Sequence, residues 1–185
     1  MDQEVSTLIT GVWRHHPARF IPNFRDELLL LRMRDLATAV EIRTSSIPEA
    51  GGGVFATKTL PKGFSLPYLG VVYPTDDESV PLFDRTYAME DGDCGVIDGD
   101  PTKMPSLFRY ASMINEPACE EGKRVTRMRQ RAARKQRGNC EIDFDDPIWN
   151  DVTPTVIRTT QAVVPGQELL MDYGEQYDRE YESKV

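Results

Sequence analysis

From residue 40 onward, no apolar run lasts more than a few residues before a glycine or proline interrupts it. VEIRTSS (40–46) and GVFATKTL (53–60) flank a turn-forming IPEAGG, and PKGFSLPYLGVVYP turns at Pro61 to Gly63 before the next short apolar run. CGVIDGDP, CEIDF, PTVIRTTQAVV and QELLMDY continue the pattern, with Pro165-Gly166 as the last turn signal. Such punctuation predicts short strands over most of the chain. One helical segment lies upstream, in NFRDELLLLRMRDLATAV. There Asn23 can cap a run of strong helix formers, with apolar residues at Leu28 and Leu31 and from Met33 through Leu36. The expected class is therefore mostly β with short helices (α+β). No internal repeat is present.

A chain of 185 residues, 39% hydrophobic and 28% charged, suits one domain with one core and one site. No apolar run approaches the ~20 residues that span a bilayer. Asp2 and Glu4 stand where a signal peptide is basic and then apolar, so the expectation is a soluble, intracellular protein without membrane contact. Cys94, Cys119 and Cys140 are odd in number and far apart, which argues against a disulfide framework or a zinc knuckle. The only histidines, His15 and His16, are adjacent, so neither a histidine triad nor a multi-histidine metal site is expected. Without a Walker loop or a Gly-x-Gly-x-x-Gly, nucleotide hydrolysis and a Rossmann cofactor recede as well.

Charge is uneven. KRVTRMRQRAARKQR, Lys123 to Arg137, holds eight basic residues and no acidic one, which leaves 14 basic against 30 acidic residues elsewhere. An acidic body attracts a cationic partner, and a basic segment favours nucleic acid or an acidic protein patch. Chromatin offers both signs. Taken alone, the same run reads equally well as a solvated helical loop.

Four stretches occur in a meaningful order: GGGVFATKTLPKGFSLPYLGVVY (51–73), VIDGD (96–100), RYASMINEP with a delayed NCEIDF (109–117, 139–144), and VVPGQELLMDYGEQY (163–177). Together they resemble the SET domain of protein lysine methyltransferases. The resemblance implies a β-clip of small sheets with a C-terminal pseudoknot over residues 40–177. Residues 1–39, with the upstream helix, are then a helical flank or the end of a linker, about 118–138 is a basic insertion, and 178–185 is a short tail. The pseudoknot, an exception to the usual absence of threading, would bring Tyr173 to Asn115.

What the resemblance implies for chemistry is S-adenosylmethionine as cofactor. It would be held by the loop Gly51, Gly52, Gly53 and Val54, and by Tyr110, Asn115, Glu116 and Tyr173. Glycines at 51 to 53 suit close backbone approach to a ligand, or equally a plain hairpin turn. Tyr173 resembles the catalytic tyrosine and Tyr68 the aromatic that lines the lysine channel, with Tyr87 and Tyr177 as further wall candidates. Methyl transfer is an in-line attack by a lysine amine, whose ordinary pKa of about 10.4 must be overcome by an apolar channel next to a cationic sulfonium. Positioning by the tyrosine then supplies much of the acceleration.

This chain departs from the family in three places. Glu116 stands where the family has histidine. Pro117 and Asn139 are separated by 21 residues, nearly all of them the basic run. No cysteine follows Cys140, so no zinc is expected, and either the tail, through Tyr177 and Tyr181, or another chain would close the channel. The expected substrate is a histone tail or another lysine-bearing protein, with nucleosome or DNA contact through Lys123 to Arg137 and a nuclear location. The alternative is a SET-like interaction module, to which Glu116 points; an accidental match would leave a mixed β protein with a charged loop.

Overall fold

The computed structural model describes residues 27–73, 87–91, 95–117, 137–144, 146–149, 151–153 and 155–174. Asn23, Tyr177, Tyr181, Cys94, Cys119 and the basic run except Arg137 lie outside the described residues.

Helix α1 (Glu27–Ala37) begins with an acidic residue in its first turn and carries Arg34 in its last, each matched to the helix dipole. It buries Leu29, Met33 and Leu36, while Leu28 and Leu31 remain 56% and 57% exposed. The face is thus not the one headed by Leu28 and Leu31. A run of four leucines supplies two stripes. The stripe through Leu28 continues into Arg32 and Asp35, so the all-apolar stripe at 29, 33 and 36 turns inward.

Three small antiparallel sheets follow. Strands β1 (Val40–Thr44) and β2 (Gly52–Ala56) pair with Ile42 opposite Val54. Strand β8 (Thr155–Thr159) lies between β3 (Ser65–Pro67) and β7 (Cys140–Phe144). Strand β6 (Gly95–Asp98) lies between β4 (Val71–Tyr73) and β5 (Ala88–Asp91). Central β8 buries Thr155, Val156, Ile157 and Thr159, as a strand covered on both faces must. Two short 3-10 turns, Ser106–Phe108 and Ala111–Met113, lead to Asn115. Val54, Leu66, Phe108, Ile114, Ile157 and Leu169 are among the side chains that fill the common core.

QELLMDY, expected as a strand, forms no ladder. Glu168 bridges antiparallel to Phe55, whereas Leu170 and Met171 bridge in parallel to Asn115 and Cys140. The segment changes partner every residue or two, so no single pairing grows long enough to be a strand. The Leu169 N–H donates to the Val54 carbonyl (2.8 Å), the Met171 N–H to the Asn115 carbonyl (2.9 Å), and the Asn139 and Cys140 N–H groups to the Leu170 carbonyl (2.9 and 3.0 Å). Residues 168–171 therefore sit between β2 and Asn115 on one side and Asn139 and Cys140 on the other, the juxtaposition expected of the pseudoknot.

On β8, Arg158 binds Asp146 (2.7 Å) and Asp143 (2.6 Å). Among the described residues, no helix is long and apolar enough to cross a membrane.

Candidate active site

The glycine loop is shaped by the protein's own side chains. Gly51 has φ +72°, a conformation that L side chains adopt at a cost, and a Cβ there would meet nothing within 4 Å. A Cβ on Gly52 would lie 2.6 Å from the Met113 Cε, and one on Gly53 would lie 2.1 Å from the Glu168 Oε1 and 3.1 Å from the Asn115 Nδ2. Two of the three glycines are therefore needed to admit Met113, Glu168 and Asn115, and Gly51 borders open space.

Glu168 is the charged centre of this arrangement. Its buried carboxylate accepts the Ser45 hydroxyl (2.6 Å), the Ser46 N–H (2.8 Å) and, in a shorter bond, the Ser46 hydroxyl. A buried carboxylate requires such donors, because desolvation without them costs several kcal/mol. The Asn115 amide donates to the Gly52 carbonyl (2.8 Å), to the Ser45 Oγ (3.1 Å) and, more weakly, to Glu168 (3.3 Å). Asn115 thus uses its amide hydrogens to hold the loop. Val54 is fully buried, and its carbonyl is taken by Leu169.

Tyr173 meets residues 114–116 at two points. Its hydroxyl donates to the Ile114 carbonyl (2.8 Å), and its backbone N–H donates to the Glu116 Oε1 (3.0 Å). Asn115, between them, receives Met171. The three consecutive residues Ile114, Asn115 and Glu116 are thereby joined to Tyr173 and the glycine loop, as the resemblance requires. Glu116, expected beside the cofactor, has its carboxylate on the backbone of Tyr173. Tyr110, expected in the same place, is partly buried at the head of the 3-10 turn. Burial pushes its phenol pKa upward, against the lowering pull of Arg109, so it stays protonated at neutral pH.

Tyr68 and Tyr87 form a second cluster. Tyr68 is buried, and its hydroxyl donates to the Tyr87 carbonyl (2.8 Å), which also accepts the Gly99 N–H (2.9 Å). A Cβ on Gly99 would lie 2.6 Å from the Tyr68 hydroxyl, so VIDGD uses that glycine to let the ring in. Asp98 of the same stretch is buried and paired with Lys103 (2.8 Å). Tyr177 lies outside the described residues.

Sequence reasoning missed Glu168, the Ser45-Ser46 pair and Asn139. Asn139 is 1% exposed; its amide donates to the Glu168 carbonyl (2.8 Å) and its Oδ1 accepts the Leu170 N–H (2.9 Å), so one side chain clamps both sides of Leu169. The available signal was a carboxylate inside the apolar run QELLM, which asks for buried donors. Next to Asn139, burial pushes the Cys140 thiol up to about 12, so it is no nucleophile at neutral pH. Among the described residues there is no group of three or more His, Cys, Asp or Glu side chains that would hold a metal.

Small antiparallel sheets, one short helix and a C-terminal segment held between Asn115 and Cys140 define a SET-like, β-rich fold. Among solved structures, the chain is similar to the methyltransferase domain of human PR domain-containing protein 2. The two are 20% identical with a TM-score of 0.50, over 90% of this chain and 97% of that one. The sequence matches no family model and no curated protein.

Proposed function

We propose that this protein is an S-adenosylmethionine-dependent protein lysine N-methyltransferase whose substrate is a histone lysine. The observation that carries the reading is the double attachment of Tyr173 to Ile114 and Glu116 beside an Asn115 that holds the glycine loop. The residues fit the cofactor: Gly51 borders open space, and Asn115 fixes the backbone next to it. Backbone groups of residues 51–53 and the neighbourhood of Asn115 would hold it, and when bound it supplies an electrophilic methyl group on a sulfonium.

The chain's own part is positioning. A hydroxyl that donates to a carbonyl meets any further group as an acceptor. With its proton directed at Ile114, Tyr173 turns oxygen lone pairs toward an incoming amine, orienting an N–H and aligning the nitrogen lone pair for in-line attack. Tyr173 is partly buried against the core, which raises the strength of such interactions and favours the neutral amine. Well-oriented attack is worth ~7–11 kcal/mol of barrier, so no histidine base is needed.

A histone substrate is supported by charge: an acidic body for a basic tail, and Lys123 to Arg137 for nucleosomal DNA or its acidic surface. A nuclear location belongs to the same reading. The test is incubation with methyl-labelled S-adenosylmethionine and recombinant nucleosomes, free histones or a cell extract, followed by mass spectrometry of labelled bands. Label on a histone lysine is expected. Label only on an extract protein would move the substrate away from chromatin, and no label together with no cofactor heat in calorimetry would leave an interaction module.

A further inference from the structure

Glu116 is the residue at which this chain leaves the pattern it resembles, and its place in the structure gives it a specific task. The last bonds before the chain reaches the site are made in sequence: the Met171 N–H to the Asn115 carbonyl (2.9 Å), the Tyr173 N–H to the Glu116 carboxylate (3.0 Å), and the Gly174 N–H to the Asp172 Oδ1 (3.1 Å). The first and third are a backbone pairing and a local turn. The middle one reaches Tyr173 itself, from a side chain 57 positions away that is only 8% exposed. Ile114, two residues earlier in the same extended segment, takes the hydroxyl at the far end of the ring. Three consecutive residues therefore hold Tyr173 by its backbone and by its phenol.

Resting on the methyltransferase reading, we propose that Glu116 is a positioning residue for Tyr173. Its carboxylate fixes the Tyr173 backbone so that the phenol oxygen points at the reacting amine. It does this in place of contacting the cofactor. An ionised carboxylate is an acceptor only, and a buried one draws a backbone N–H more strongly than a neutral acceptor does. A histidine here would offer a ring nitrogen on a shorter, more rigid side chain, so the carboxylate is this chain's own solution for anchoring residue 173.

The test uses three variants, Glu116→Ala, Glu116→Gln and Glu116→Asp, and two readouts on the full chain. In protein labelled with 15N-tyrosine, the Tyr173 amide signal is identified by its loss in Tyr173→Phe. It should move upfield in Glu116→Ala and in Glu116→Asp, whose carboxylate is one methylene short, and much less in Glu116→Gln, whose amide oxygen still accepts. In methyl transfer at saturating cofactor, kcat should fall about a hundredfold in Glu116→Ala, the penalty of an ångström-scale misplacement. It should fall about tenfold in Glu116→Asp and recover to within about threefold in Glu116→Gln, a range set by a neutral acceptor in place of a charged one. The calorimetric Kd for S-adenosylmethionine should stay put in all three. An unmoved Tyr173 amide in Glu116→Ala overturns the proposal, as does a moved amide with unchanged kcat. A weakened Kd with kcat intact overturns it in favour of a cofactor ligand. If Glu116→Ala does not fold, the contrast between Glu116→Asp and Glu116→Gln decides by the same criteria. Absence of wild-type turnover on every substrate, with the amide shift present, refutes the methyltransferase reading and upholds the contact.

Discussion

Replacing Gly53 by alanine tests whether the loop is shaped from within. The added Cβ would lie 2.1 Å from the Glu168 Oε1 and 3.1 Å from the Asn115 Nδ2, so the carboxylate must withdraw. Withdrawal of Oε1 breaks the two bonds that it accepts, from Ser45 and Asn115. A hydrogen bond to a charged group is worth ~1.5–3 kcal/mol, so losing two costs about 3–6 kcal/mol. Stiffening the unfolded chain returns ~0.4–1 kcal/mol, and the net loss should be about 2–6 kcal/mol out of a typical 5–15 kcal/mol. Urea unfolding followed by circular dichroism should show a lower midpoint with an unchanged slope. Gly51→Ala, with open space but φ +72°, should lose only the left-handed penalty of ~1–2 kcal/mol. The decisive comparison is Gly53→Ala with Glu168→Ala. Because both break the same bonds, the pair should fall short of additivity by about 2 kcal/mol. A Gly53→Ala loss below about 1 kcal/mol, or strict additivity, would refute the reasoning.

Further outcomes follow from the same geometry. Tyr173→Phe should abolish most turnover while keeping the fold and cofactor binding, with a stability loss of about 1 kcal/mol for the Ile114 bond; methyl transfer and calorimetry check it, and near-normal turnover would sink the assignment. Asn139→Ala leaves a buried carbonyl and a part-buried N–H without their partner, so urea unfolding should show a loss of about 2–4 kcal/mol. Burial pushes the Asp146 pKa up, but bonds from Arg158 and the Ile148 N–H outweigh it and hold the carboxyl below its usual range. A depressed folded pKa adds stability above the unfolded value of about 3.9 and loses it as pH falls through the folded one. Unfolding free energy should therefore show an acid limb beginning near pH 4 that Asp146→Asn makes shallower, and identical limbs would reject that contribution.

The short strands were legible because proline and glycine mark where they stop; β1, β7 and β8 lie inside the stretches so marked, and β2 begins one residue earlier, in the expected turn. Strand β5 was not: Ala88, Met89, Glu90 and Asp91 are weak strand formers, and only pairing with β6 makes them one. Resemblance placed Asn115 beside Tyr173 and assigned the glycines to a ligand, but it did not name the side chains that two of them also admit. Met113 and Glu168, which two of them accommodate, lie far along the chain, and no local pattern reveals a neighbour of that kind. The bond from Tyr173 to Glu116 was hidden for the same reason, since a glutamate gives no sign of which distant N–H it will accept.

Every strand of the three sheets is complete by Thr159, yet Asn115 and Asn139 complete their bonding only at Glu168 to Met171. During synthesis the sheets can therefore assemble before a site exists, with buried polar groups waiting for the final stretch. Contacts of such sequence separation form late and slowly. The closing of this segment thus acts as a timer, and a chain interrupted shortly after residue 159 would hold the scaffold of the fold and none of its chemistry.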